Sequence, residues 1–198
     1  MSDFTEKLEQ FAFKNIMLEA DLIMLEEKDG IDIQHLDTLL ETSSSVKDLI
    51  DTDLFDSSIL ASAKKMARFY IYYYAFENSL RKMISDRLED LYGLDWWEQK
   101  APERVKQNVE ETRIREMETS MDIRSQNPLD YTKFGELVEI IDANWDDFST
   151  IIRSQKAMQL VISQFQKIRN VIVHSCELGE DDIFRLKLLI KDWYRILI

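Results

Sequence analysis

Glycine and proline are scarce in this chain, four and two among 198 residues. Both punctuate or break regular structure, so their scarcity argues against a loop-rich or all-β protein and for helices with short connections. Cysteine occurs once, at Cys176. A single thiol excludes an internal disulfide and fits a reducing, cytoplasmic setting. Histidine occurs twice, at His35 and His174. With no cysteine pair and no HExxH spacing, a transition-metal site is not expected. The four glycines at 30, 93, 135 and 179 stand alone, so no glycine-rich phosphate loop exists. No apolar run approaches ~18 residues, which predicts no membrane span. The N-terminal MSDFTEKLEQ shows no basic region leading into an apolar stretch, so no secretory signal is expected.

What the chain has in excess is acid. Its formal net charge is −13, which opposes binding to nucleic acid as a whole. The excess is uneven. Residues 1–60 carry 15 Asp and Glu against four lysines, whereas residues 61–198 carry 23 acids against 21 bases. The later part is nearly neutral and can accept a phosphate backbone locally. The change in charge balance near residue 58 divides the chain into an acidic N-terminal helical segment, 1–57, and a second domain, 58–198.

The pattern is all-α. Phe4, Leu8, Phe11, Asn15, Leu18, Leu22 and Leu25 follow 4-3 spacing up to a stop at Gly30. A bundle helix with an exposed asparagine accounts for that run, and a short coiled-coil seam is the alternative. Shorter helices are expected over 31–41 and 45–50. The stretch DTDLFD at 51–56 lacks the glycine and final glutamate of a calcium loop. A long helix should run from about residue 58 to 92 and stop at Gly93, with Glu77 and Arg81 spaced for an i,i+4 ion pair. Pro102 suits a first helical position, and Asp130 suits a cap for YTKFGELVEIID. A helix is expected over 154–175, and a last one should open on Glu180, Asp181 and Asp182.

The helix over 154–175 carries the one chemically suggestive constellation. IRNVIVHS, residues 168–175, sets Arg169, Asn170 and His174 into an otherwise apolar run. Buried polar groups cost free energy unless paired, so three of them there need a reason. Asn170 and His174 lie about 40° apart on a helix; Arg169 starts about 140° from His174 but has a long side chain. Histidine moves protons near neutral pH, arginine is a permanent cation and asparagine both donates and accepts. These parts suffice to cleave RNA without a metal. A base activates the ribose 2′-hydroxyl, a cation stabilises the phosphorane and an acid protonates the leaving oxygen. The simpler reading of the spacing is a structural histidine beside a surface arginine. Cys176 lies two residues after His174, about 160° away on a helix, and is expected to be a buried structural thiol.

IRNVIVHS resembles the signature of the HEPN superfamily, in which a histidine follows an arginine and a polar residue after a few positions. YAFENSLRKMISDRLEDLYGLDWW (74–97), YTKFGELVEII (131–141) with Trp145 and Phe148, and LGEDDIFRL (178–186) occur in the matching order. Together they resemble the HEPN branch found at the end of a eukaryotic transcript-surveillance endonuclease and in many bacterial proteins. The resemblance covers roughly residues 61–198. It implies a helical bundle that forms a homodimer with a composite cleft, and a metal-independent ribonuclease acting as a toxin or in antiphage defence. By that resemblance Arg169 stabilises the phosphate, Asn170 positions it and His174 transfers protons, needing no cofactor. Glu77 and Arg81 match polar positions of the long helix and would support the site, a plain ion pair being the alternative. Cys176 stands where nucleotidyltransferase-controlled members carry a tyrosine, so that regulation has no support. The competing readings are a noncatalytic dimeric adaptor docking a protein through its acidic N-terminal helices, and a nucleotide-sensing module that binds phosphate without cleaving it.

Overall fold

The computed structural model describes residues 54–198. The readings placed on the first 53 residues, from the heptad run to the two shorter helices and the first half of DTDLFD, lie outside the described residues. The unit Ser57–Ile198 is assembled from seven α-helices and one 3-10 turn, with no strand among the described residues.

Helix α1, Ser57–Tyr92, is 36 residues long and forms the spine. Its buried side chains are Tyr73, Phe76, Glu77, Leu80, Ile84 and Leu88, a stripe at three- and four-residue spacing. The sixteen residues before Tyr73 bury no side chain. Gly93 ends the helix with φ +77°, left-handed backbone that favours glycine, and its N–H donates to the Glu89 carbonyl at 2.8 Å.

Two helices follow: α2, Trp96–Lys100, and α3, Glu103–Met117. Pro102 sits one position earlier than the sequence suggested. With ψ 140° it is the residue before the helix, and its carbonyl accepts from the Val105 and Lys106 N–H groups. The Asp130 cap is also corrected. Residues Pro128–Tyr131 wind as a 3-10 turn capped by Asn127, whose side chain accepts the Leu129 N–H at 3.0 Å. Asp130 instead accepts a hydrogen bond from Ser125 Oγ. Helix α4, Phe134–Ala143, starts three residues later, where Glu136 Oε2 accepts the Lys133 N–H at 2.7 Å. Proline at 128 forces the earlier turn, and the short 3-10 segment takes up the residues assigned to the helix.

Helix α5, Trp145–Phe148, leads to α6, Gln155–Val173, and α7, Glu180–Ile196. Ser154 caps α6 through its hydroxyl, which accepts the Ala157 N–H at 3.3 Å. The acids Glu180, Asp181 and Asp182 occupy the first turn of α7, complementing its dipole. An isolated antiparallel bridge joins Ile152 to Leu197, so the start of α6 lies beside the end of α7 and the two form an antiparallel hairpin.

The elements converge on aromatic rings. Phe76 of α1 lies 4.0 Å from Phe165 of α6, centroid to centroid, and 5.6 Å from Trp193 of α7. Phe134 of α4 lies 5.6 Å from Phe165. One fully buried ring on α6 therefore touches α1 and α4 at once. Phe165→Ala should lower unfolding free energy by about 3–5 kcal/mol, the usual cost of a buried phenylalanine cavity. Urea denaturation followed by tryptophan fluorescence checks it.

Candidate active site

Glu77 points from α1 into the interface with α6 and is only 6% exposed. A buried carboxylate needs cations and hydrogen bonds to offset lost hydration. Arg81, one turn on, supplies one: its Nη2 lies 2.5 Å from Glu77 Oε1. The same guanidinium donates to the carbonyls of Thr132 and Leu129, at 3.2 and 3.4 Å, tying α1 to the 3-10 turn. The second carboxylate oxygen, Oε2, is buried without a hydrogen bond and faces Arg169 Nε of α6 at 4.0 Å. That nitrogen is equally buried and equally without a hydrogen bond. Beneath it lies Tyr73, with the Arg169 guanidinium carbon 5.5 Å from the ring centroid. Burial pushes the Tyr73 hydroxyl above its ordinary pKa, the Glu77 carboxylate pushes it further, and Arg169 opposes both.

One carboxylate thus serves two arginines, and the cluster carries an excess positive charge. The Arg169 side chain is 27% exposed, so the group whose Nε is held inside also reaches solvent. An anion arriving at that outer edge balances the excess.

The remaining members of the sequence motif lie elsewhere on α6. Asn170 is exposed, and His174 is exposed at the helix terminus. Neither side chain makes a hydrogen bond among the described residues. Helix α6 stops at Val173 and not at 175, because the chain turns there. The Cys176 N–H donates to the Val171 carbonyl at 3.0 Å and the Ser175 N–H to Ile172 at 3.1 Å, the paired bonds of a Schellman motif. Ser175 occupies the left-handed position with φ +58°, where glycine is usual. A non-glycine residue there stores strain, of order 1–2 kcal/mol. This turn sets His174 at the helix cap, facing solvent. The structure therefore brings Glu77, Arg81 and Arg169 together, and leaves Asn170 and His174 on the open side of the same helix.

Cys176 is a correction. It is exposed, not buried, because it lies beyond the helix in that turn, with Sγ 3.6 Å from the His174 carbonyl. The helical angle between it and His174 does not apply to residues outside a helix. Tyr73 was missed, although its spacing from Glu77 and Arg81 is a ladder of fours visible in the sequence. Among the described residues, no group of three or more His, Cys, Asp or Glu side chains is arranged to hold a metal ion. Nor is any helix among them long and apolar enough to cross a membrane.

The family model for Swt1-like HEPN matches residues 72–197, from the middle of α1 through the end of α7. The chain belongs to the Swt1-like HEPN family. No curated protein and no solved structure matches it. The match spans every element that builds the Glu77 cluster and the motif helix. HEPN domains are generally ribonucleases, so the family falls within a ribonuclease-type superfamily.

Removing the shared carboxylate should expose its importance. Glu77→Gln leaves Arg81 and Arg169 without their common anion, and should cost about 3–5 kcal/mol of stability. Arg169→Met, which keeps the stem and removes a charge already in excess, should cost less. Thermal and urea unfolding of both variants test the order.

Proposed function

We propose that the protein is a metal-independent RNA endonuclease of the HEPN type, working in the cytoplasm in antiphage defence or as a growth-arrest toxin. The observation that carries this reading is Arg169, held from within by Glu77 and Tyr73 and open on its outer edge. A cation prearranged in this way stabilises charge that develops on a phosphorane, because it need not reorganise when the charge appears. Exposed His174, on the same helix, takes the proton from a ribose 2′-hydroxyl or gives one to the departing 5′-oxygen. Asn170, one turn before His174, accepts and donates hydrogen bonds at the phosphate. Glu77 and Arg81 act through Arg169 as positioning residues.

Each chain offers the motif one imidazole, while in-line transfer uses a separate acid and base. Two copies related by a two-fold axis supply both. Phe184 and Leu188, exposed one turn apart on α7, and exposed Leu160 on α6 give a second copy an apolar face on which to pack. The acidic residues 1–57 would then dock a regulatory protein of the same defence system. In the competing reading, a noncatalytic adaptor, the same domain would dimerise without cleaving.

His174→Ala should lower RNA cleavage by about 10²–10⁴-fold while circular dichroism stays unchanged. Arg169→Ala should cripple cleavage, and Arg169→Lys should restore only part, since an ammonium replaces a fork of donors. Reactions run in EDTA test metal independence. Full activity of His174→Ala would sink the mechanism, and no cleavage by the native protein would favour the adaptor.

Oligomeric state supplies an independent check. Light scattering should give about twice the 23.5 kDa chain mass. Phe184→Asp with Leu188→Asp should yield a monomer that has lost cleavage. A fully active monomer would overturn the composite site.

A further inference from the structure

Two polar contacts tie the motif to α1, and His174 lies between them along the chain. At the first, Arg169 meets Glu77 and sits over the Tyr73 ring. At the second, the Ser62 hydroxyl of α1 donates a hydrogen bond to Glu177 Oε1, just past the motif. Ser62 precedes Tyr73 whereas Glu177 follows Arg169, so α1 and the motif segment run antiparallel. Ser62 and Tyr73 are about 16 Å apart along α1, at 1.5 Å of rise per residue. That helix is continuous and contains no glycine or proline. It is therefore a rigid rod that touches the chain on both sides of His174.

The turn that carries His174 lacks other support. Residues 173–177 are all exposed, so core packing does not hold them. On the near side, the Ser175 and Cys176 N–H groups bond back to the Ile172 and Val171 carbonyls, with Ser175 left-handed at φ +58°. On the far side the chain is buried again at Leu178. Glu177 stands immediately before that anchor. Its bond to Ser62 is the one side-chain hydrogen bond from this turn to another helix among the described residues. Ser62 belongs to the part of α1 that buries no side chain, so the bond adds little to the core.

We propose that Ser62 and Glu177 form a latch that sets where His174 stands relative to Arg169, which makes them positioning residues of the motif. Its consequence for catalysis rests on the reading of the motif as a ribonuclease site. Arg169 is pinned to α1 from one side and the turn after His174 from the other. Cation and imidazole then keep a fixed separation across a turn that packing does not order. A hydroxyl bonded to a carboxylate suits this task, because an ionised acceptor makes a shorter and stronger hydrogen bond than a neutral one. Misplacing a reacting group by about 1 Å can cost about 10²-fold in rate. A contact of little worth to folding therefore has leverage on the chemistry.

The test uses the full chain and reads the turn and the reaction separately. Ser62→Ala and Glu177→Ala should each speed amide hydrogen exchange across residues 173–178 about 10-fold, the effect of losing a hydrogen bond to a charged group. Circular dichroism and exchange around Phe165 should not change. Glu177→Gln keeps an oxygen that accepts the Ser62 hydroxyl and should stay close to the native chain. The double variant, Ser62→Ala with Glu177→Ala, should exchange no faster than either single one, because both remove the same contact. Steady-state cleavage should follow the same order. Both single variants and the double should lose kcat about 10-fold at unchanged KM, and Glu177→Gln should retain most of it. Glu111→Ala, which breaks an exposed ion pair on α3, should alter neither readout. Unchanged exchange in both single variants would overturn the latch. So would effects that multiply in the double variant, or a Glu177→Gln as impaired as Glu177→Ala. Faster exchange with native kcat would overturn the positioning role and leave the catalytic reading standing. A native chain that cleaves no RNA, with exchange responding as expected, removes the catalytic reading and leaves the latch standing.

Discussion

The arrangement around the motif depends on one buried carboxylate. Glu77 is divided between two guanidinium groups that approach from different directions, Arg81 along its own helix and Arg169 from α6. The first contact is a close ion pair and the second is 4.0 Å apart. The inequality matters. A carboxylate fully committed to Arg169 would neutralise it, whereas one mostly occupied by Arg81 fixes its orientation and leaves its charge incompletely answered. Arg81 in turn fastens the 3-10 turn that precedes α4, so the same carboxylate is linked to the register of three elements. Substitution at Glu77 therefore acts on fold and site together, and Arg169 is where the two are separable.

The second constraint is where α6 stops. Had the helix continued through residue 175, His174 would have remained an interior helical position beside Arg169 and Asn170. The Schellman turn releases it one residue beyond the last helical residue and accepts strain at Ser175 in doing so. Strain of this kind persists only where surrounding bonds enforce it, and here two backbone hydrogen bonds do. The result is a helix with a half-buried cation on its inner flank and an exposed imidazole at its open end.

The fold was largely legible in the sequence because its signals are local. Scarce glycine and proline, the stop at Gly93, and the acids opening α7 each report on a few neighbouring residues. The misreadings share a cause. Asp130 and Asn127 are both good caps in isolation, and Pro128 decided between them only once the 3-10 turn formed. Cys176 was assigned a helical environment because the Schellman turn depends on backbone bonds that no residue there announces; serine replaces the expected glycine. The motif was legible as Arg169, Asn170 and His174, and the Glu77–Arg81 pair as an i,i+4 spacing. That Arg169 would reach Glu77 was not, since it requires knowing which faces of α1 and α6 meet.

Charge shows the same dependence on scale. Net charge, at −13, argues against a nucleic-acid partner, and dividing the chain near residue 58 only brings the later part close to neutrality. Counting along the folded elements gives a different answer, because the field felt by a phosphate is set by charges within about a Debye length and not by the total. Residues 148–176 and 57–76 contain bases and no acids, while Glu177 borders the motif and meets Ser62 of α1. Elsewhere in the domain several acids are answered by ion pairs, such as Glu111 with Arg115 and Glu116 with Arg124. An acidic protein can in this way carry a long helix whose own residues include bases and no acids, so its net charge alone does not describe the field beside that helix.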